Sequence, residues 1–195
     1  MSRRYDKSIG IPRDVVDAVV DAGLRGPSAG FSQGTHFLVL DDPASVDRYW
    51  KATTDGGPVD EWLSGMSTAP VLVVVYSDRE RYENRYSEAD KQRDPSGLVT
   101  LERRWPVPYW HLDAAMAALL VQLAATDAGL ACCWFGVPTD RVASVSAAFA
   151  VPAGLTPVGV VSLGYPPAPA PVTPPFTPRR RRPRAEMVSH GRYGS

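Results

Sequence analysis

The stretch HLDAAMAALLVQLAATDAGL, residues 111–130, is apolar nearly all the way round the helix it spells. A helix without a polar side has to be enclosed by protein. It is therefore expected to lie centrally, buried on most sides, with the other elements arranged about it. A chain of 195 residues that is 44% hydrophobic can supply one such core. No apolar run approaches the ~20 residues that span a bilayer, and MSRRYDKSIG lacks the apolar stretch of a secretory leader. The expectation is a cytoplasmic protein without a membrane or nucleic-acid partner.

The rest of the chain alternates helix and strand signals. IPRDVVDAVVDAGLRGP puts Val15, Val16, Val19, Val20 and Leu24 on one helical side, with Pro12 near its start and Gly26-Pro27 at its end. HFLVLDD reads as a strand, ASVDRYWKAT as a short helix and APVLVVVYSD as a β-branched, buried strand. Residues 78–107 are charged, aromatic and aperiodic, a long excursion with at most a loose helical turn, ending at WPVPYW. After the central helix come a strand, ACCWFGV, a helix over TDRVASVSAAF capped by Thr139 or Asp140, and a last strand, TPVGVVSLGYP. Without a regular βαβ rhythm, the class is α+β, a mostly antiparallel or mixed sheet around a buried helix. Residues 1–164 form the core and 165–195 an arm of the same domain.

That arm holds six Arg against one Glu, and eight of the 19 prolines, so it should be extended. The zero net charge thus hides a +5 arm on a −5 body. Such an arm could serve nucleic acid, a membrane, self-association with the acidic body, or a bound phosphate. Cys132 and Cys133 are neighbours in an apolar run, which suits core thiols and fits neither a disulfide framework nor a metal site. His36, His111 and His190 are too dispersed for a metal centre, and the first two read as packed or hydrogen-bonded histidines. There is no GxGxxG after a strand, no P-loop, no HExxH and no nucleophile elbow.

Between the first helix and the first strand lies RGPSAGFSQGTHF, where small residues and unpaired N–H groups would let the polar edge of a planar ligand approach closely. Taken with two other segments, this turn resembles the nitroreductase family of flavoproteins. LRGPSAGFSQGTHFLVL is similar to that family's APSxxNxQPWxFxVV run, LLVQLAATDAGLACCWFG to its central helix and following strand, and PVGVVSLGYP to its last core strand. The order and spacing of the three agree, and the resemblance leaves out only about residues 45–107.

The resemblance implies an FMN-binding homodimer with each flavin at the subunit interface and the C-terminal arm exchanged. It also implies ping-pong reduction by NADH or NADPH of a nitroaromatic, quinone or other conjugated small molecule. Pro27, Ser28 and Ala29 would lie along the pyrimidine and ribityl side. Trp134, Phe135 and Gly136 would pass beside the reactive nitrogen, and Arg179 and Arg181 would hold the phosphate. Phe31 stands where the family has Asn, and Gly34-Thr35 replaces its Pro-Trp. Arg3 and Arg4 stand near the family's phosphate-gripping Arg and Ser. The flavin carries the chemistry, so no catalytic acid or base is required. Tyr109 and Trp110 are candidate walls for a flat substrate, with core or interface packing as the other reading. Alternatives to this function are a deazaflavin-using or oxygen-dependent biosynthetic flavoenzyme, and a flavin-binding protein with little turnover.

Overall fold

The computed structural model describes residues 2–54, 57–91, 104–168 and 180–194. Four strands, β1 (Thr35–Leu40), β2 (Val71–Asp78), β3 (Ala131–Phe135) and β4 (Leu155–Gly164), form one sheet in the order β1-β2-β4-β3, and every pairing is antiparallel. β2 is central and covered on both faces, which is why its Val71–Val75 run is β-branched and apolar without alternation.

Period-two alternation sends β2 side chains to two separate cores. Val71, Val73 and Val75 meet α1 (Arg13–Leu24) and α5 (Tyr109–Asp127) through Val16, Val19, Ala114, Ala118 and Val121. Leu72, Val74 and Tyr76 meet α2 (Pro43–Thr54), α3 (Glu61–Met66) and α6 (Val142–Ala148) through Tyr49, Trp50, Met66 and Val145. The class is α+β, as the sequence implies. α4 (Arg79–Ser87) packs beside the turn before β1, and the short α7 (Arg184–Met187) lies in the arm.

Small residues set the approach of the helices. A Cβ on Gly26 would lie 3.3 Å from the Ala117 Cα, so glycine lets the end of α1 close onto α5. On the sheet, a Cβ on Gly159 would fall inside the indole of Trp134, which lies across that position. The N-terminal segment is docked as well. Ser2 N–H donates to the Cys132 carbonyl at 2.9 Å and Asp6 N–H to that of Tyr165 at 3.0 Å, while Tyr5 is buried with its hydroxyl 2.7 Å from Ser162 Oγ.

Three expectations change. The excursion after β2 contains α4, a nine-residue helix whose aperiodic sequence hides it because only Tyr82 is buried. Neither Thr139 nor Asp140 caps α6; both belong to a 3-10 turn, Thr139–Arg141, that leads into it. And α5 is enclosed on one side only: Leu112, Met116, Leu119 and Leu123 form an exposed stripe at three- and four-residue spacing.

α5 is tied to the sheet by a polar relay. Trp110 Nε1–H donates to His111 Nε2 (3.1 Å), which leaves the proton on Nδ1 to be donated to Ser77 Oγ (2.8 Å). The relay requires neutral imidazole, and burial lowers the His111 pKa below its ordinary 6.5. At higher pH neither folded nor unfolded chain binds this proton; below about 6.5 the unfolded chain takes it up first, so stability falls as pH drops through that window. Thermal melts from pH 7.5 to 5.5 are expected to show a declining midpoint for the protein and a flatter profile for His111→Phe.

Candidate functional site

The turn from Pro27 to Gly34 departs from ordinary backbone. Gly30, Phe31 and Gln33 all have positive φ (64°, 59° and 52°), a left-handed conformation that costs a side-chain-bearing residue about 1–2 kcal/mol. Such a turn persists only if its surroundings fix it. Asp113, on α5 and 2% exposed, accepts through one carboxylate oxygen both the Ala29 N–H (2.7 Å) and the Tyr82 hydroxyl (2.7 Å). Burial and this bond to a carboxylate push the Tyr82 pKa well above its usual value, so the phenol remains a donor. Arg85 Nε–H donates to the Gly30 carbonyl (2.7 Å), and the Arg85 guanidinium is itself held by both carboxylate oxygens of Asp90 (2.7 and 2.8 Å). The Tyr86 ring lies so close to Gly30 that a Cβ there would sit 2.9 Å away.

The expectation of unpaired N–H groups is largely corrected. Besides Ala29, Phe31 N–H donates to the Ser28 carbonyl, Ser32 N–H to that of Ala29, and Gln33 N–H to Ser28 Oγ. Within the turn, among the described residues, the N–H groups of Ser28, Gly30 and Gly34 are the ones without an acceptor in the chain. Pro27 is exposed, Ser28 and Ala29 are half-buried, and Phe31 is 74% exposed, an aromatic ring held outward by its left-handed backbone.

The second group of candidates sits on β3. Cys132 turns its carbonyl outward to Ser2, so by alternation the N–H of Trp134 points to the same open edge, whereas Phe135 pairs inward with Val160. The Trp134 and Phe135 rings go to opposite faces, Trp134 over Gly159 and Phe135 against Trp50 and Trp62. Gly136 is exposed just beyond the strand. Arg3 and Arg4 are exposed on the segment hydrogen-bonded alongside β3, and the Arg3 charge partly offsets the upward push of burial on the Cys133 thiol.

The two groups do not meet within one chain. Phe135 pairs with Val160, Val160 with Val74 and Val74 with Leu38, so β2 and β4 separate the turn's strand from β3. Three strand spacings place the two edges about 14 Å apart. Trp110 is buried against Tyr82, with Arg79 over its ring, and Tyr109 packs against Trp105; neither ring lines the aromatic cleft that Phe135 helps to form. Arg181 is exposed, and Arg179 lies outside the described residues. No cluster of three or more His, Cys, Asp or Glu among the described residues could hold a metal ion.

The sequence reading passed over Asp113, Tyr82 and Arg85. Asp113 did carry a signal: it is the lone carboxylate on the buried side of an otherwise apolar helix, one turn before Ala117 and two before Val121.

The sequence profile of the nitroreductase family matches residues 1–165, and the chain belongs to that family. A protein of Methanothermobacter thermautotrophicus, provisionally named NADH dehydrogenase/NAD(P)H nitroreductase, is 27% identical over 159 residues, covering 80% of this chain and 68% of its own. Among solved structures, one of the same provisional name from Bacteroides thetaiotaomicron superposes with a TM-score of 0.68 at 22% identity, covering 98% of this chain and 92% of that one. A provisionally named nitroreductase from Desulfovibrio desulfuricans, solved in complex with FMN, gives 0.66 at 23% identity, covering 98% and 91%. At these identities the superpositions establish the fold.

Replacing Asp113 with Ala leaves two buried donors, Ala29 N–H and Tyr82 O–H, without their acceptor. The expected loss is about 2–5 kcal/mol in urea unfolding. Asp113→Asn, whose amide oxygen can accept both bonds, should recover most of it.

Proposed function

We propose that the protein is an FMN-dependent oxidoreductase that takes electrons from NADH or NADPH and delivers them to a small conjugated acceptor such as a nitroaromatic or quinone. The observation that carries this reading is the open edge of β3, where an outward N–H at Trp134 lies beside a segment bearing two exposed arginines. A hydrogen-bond donor for a ring edge and cations for a phosphate are what this cofactor requires of a protein. FMN, when bound, supplies the hydride chemistry.

The chain's own residues bind and orient. Trp134 and Gly136 offer backbone N–H groups to the ring edge. Arg3 and Arg4, with Arg179 and Arg181 of the arm, hold the phosphate. Pro27, Ser28, Ala29 and Phe31 line the ring from the turn, where the N–H groups of Ser28 and Gly30 remain to be used. Tyr109, half-buried at the start of α5, flanks the space for a flat substrate, and the buried Trp110 backs it from the core. Because the turn and β3 occupy opposite edges of one sheet, a flavin touching both draws them from two copies of the chain. The exposed stripe Leu112, Met116, Leu119 and Leu123 supports such a homodimer, since a contiguous apolar face of this kind gains from being covered by its own copy.

FMN is expected to bind with saturation and to colour the protein yellow, and NADPH added anaerobically should bleach it. Double substitution of Arg3 and Arg4, or of Arg179 and Arg181, by Ala should weaken FMN about 100-fold, from two charge-assisted bonds, and leave riboflavin nearly unaffected. Equal weakening of both ligands would indicate a folding defect and count against the phosphate assignment.

Light scattering tests the interface separately. The protein should run as a dimer at micromolar concentration, and Leu119→Glu/Leu123→Glu as a monomer. A monomeric unsubstituted protein would overturn the two-copy site.

A further inference from the structure

We propose that Arg85 is a positioning residue for the flavin: by holding the Gly30 carbonyl it fixes the turn before β1 in the conformation that offers the unpaired Gly30 N–H to an acceptor on the ring edge. The inference rests on the flavin reading given above, to which it adds one particular donor and the side chain that aims it.

Three successive peptide planes form the apex of the turn, and their six polar groups can be accounted for one by one. In the first plane the Ser28 carbonyl accepts Phe31 N–H at 2.9 Å, and Ala29 N–H donates to Asp113 at 2.7 Å. In the third plane the Gly30 carbonyl accepts Arg85 Nε–H at 2.7 Å, and the N–H is that of Phe31, already paired. In the middle plane the Ala29 carbonyl accepts twice from Ser32, from its N–H at 3.2 Å and from its hydroxyl at 2.6 Å. Gly30 N–H is left, and among the described residues nothing accepts it. In a planar trans peptide the N–H points opposite to the carbonyl. With the Ala29 carbonyl turned to the buried Ser32, the Gly30 N–H points away from it.

That direction depends on Arg85 because Gly30 is the most adaptable link of the apex. Its φ and ψ of 64° and 12° are one of several backbone states open to glycine. A glycine is nonetheless required, since a Cβ here would lie 2.9 Å from the Tyr86 ring, itself braced edge-on by Trp105 with centroids 4.6 Å apart. The close contact thus brings in a freedom that the bond from Arg85 takes away.

The geometry calls for arginine in particular. Nη1 and Nη2 donate to the two oxygens of Asp90 at 2.7 and 2.8 Å, and Nη1 also to Glu88 at 2.9 Å, which leaves Nε–H for the Gly30 carbonyl. Lysine carries the same charge on one nitrogen and cannot form this fork. With two carboxylates on it, the guanidinium brings no net positive charge to the turn. Its effect is positional.

The test compares the full chain with Arg85→Ala and Arg85→Lys. Without flavin, hydrogen exchange of 15N-labelled protein is read at the Phe31 amide, with Val74 of β2 as the reference. Arg85→Ala should speed exchange at Phe31 at least fivefold and leave Val74 unchanged. With ligand, the affinities of FMN, riboflavin and lumiflavin are measured, lumiflavin being the ring without ribityl chain or phosphate. Arg85→Ala should weaken all three by the same factor, about three- to tenfold for one hydrogen bond, and shift the visible absorption bands of the bound ring. Arg85→Lys should recover only part of this.

Equal weakening of the three ligands with incomplete recovery by lysine supports the assignment. Weakening of FMN alone, or of FMN and riboflavin but not lumiflavin, overturns the ring contact. Full recovery by lysine makes charge responsible and overturns the positioning role, as do unchanged affinities. Unchanged exchange at Phe31 overturns the hold of Arg85 on the turn whether or not flavin binds. A chain that binds none of the three ligands overturns the oxidoreductase reading and the ring acceptor with it, an outcome distinct from every other.

Discussion

A single carboxylate oxygen organises the turn that precedes β1. Asp113 is carried into the core by α5, whose other buried residues in that region are Ala, Val and Trp, and there it accepts one bond from the turn and one from α4. Its two donors come from segments 84 and 31 residues away in sequence. Removed from water, such bonds are stronger and more directional than on a surface, and each fixes a segment whose own sequence is too polar or too short to fix itself. Three left-handed residues are tolerated in the turn because α5 and α4 hold it from two sides.

How much of this was legible depends on the range over which the signal operates. α1, β1, β2, α5 and β4 follow from local apolar periodicity, and the observed elements cover the expected segments with boundaries shifted by a few residues. α3 escaped because six residues are too few for periodicity, although Asp60 occupies its N-cap. α4 escaped because its only buried residue is Tyr82. At the site, the turn and the β3 segment were visible as motifs. Their placement on opposite edges was not, since strand order comes from pairings between residues far apart in sequence. The accounting of N–H groups was likewise hidden, because a side chain 84 residues downstream satisfies Ala29.

The apolar face of α5 shows the same principle at a larger scale. An all-round apolar helix reads from sequence as buried on most sides, whereas among the described residues one chain covers only the side toward the sheet and α1. Composition reports the total burial that a helix is suited to, and does not say whose surface provides it.

The open edge of β3 also bears on strand-to-strand association. A strand edge with unsatisfied backbone groups invites any other strand to add to it. Among the described residues, the N-terminal segment meets this edge at Cys132 and no backbone group pairs with the outward Trp134 position. The strand is only five residues long, ends in an exposed glycine, and is flanked by Arg3 and Arg4, so an incoming strand finds a short ladder and two charges beside it. So short an edge, with two cations beside it, is a poor template for polymerisation.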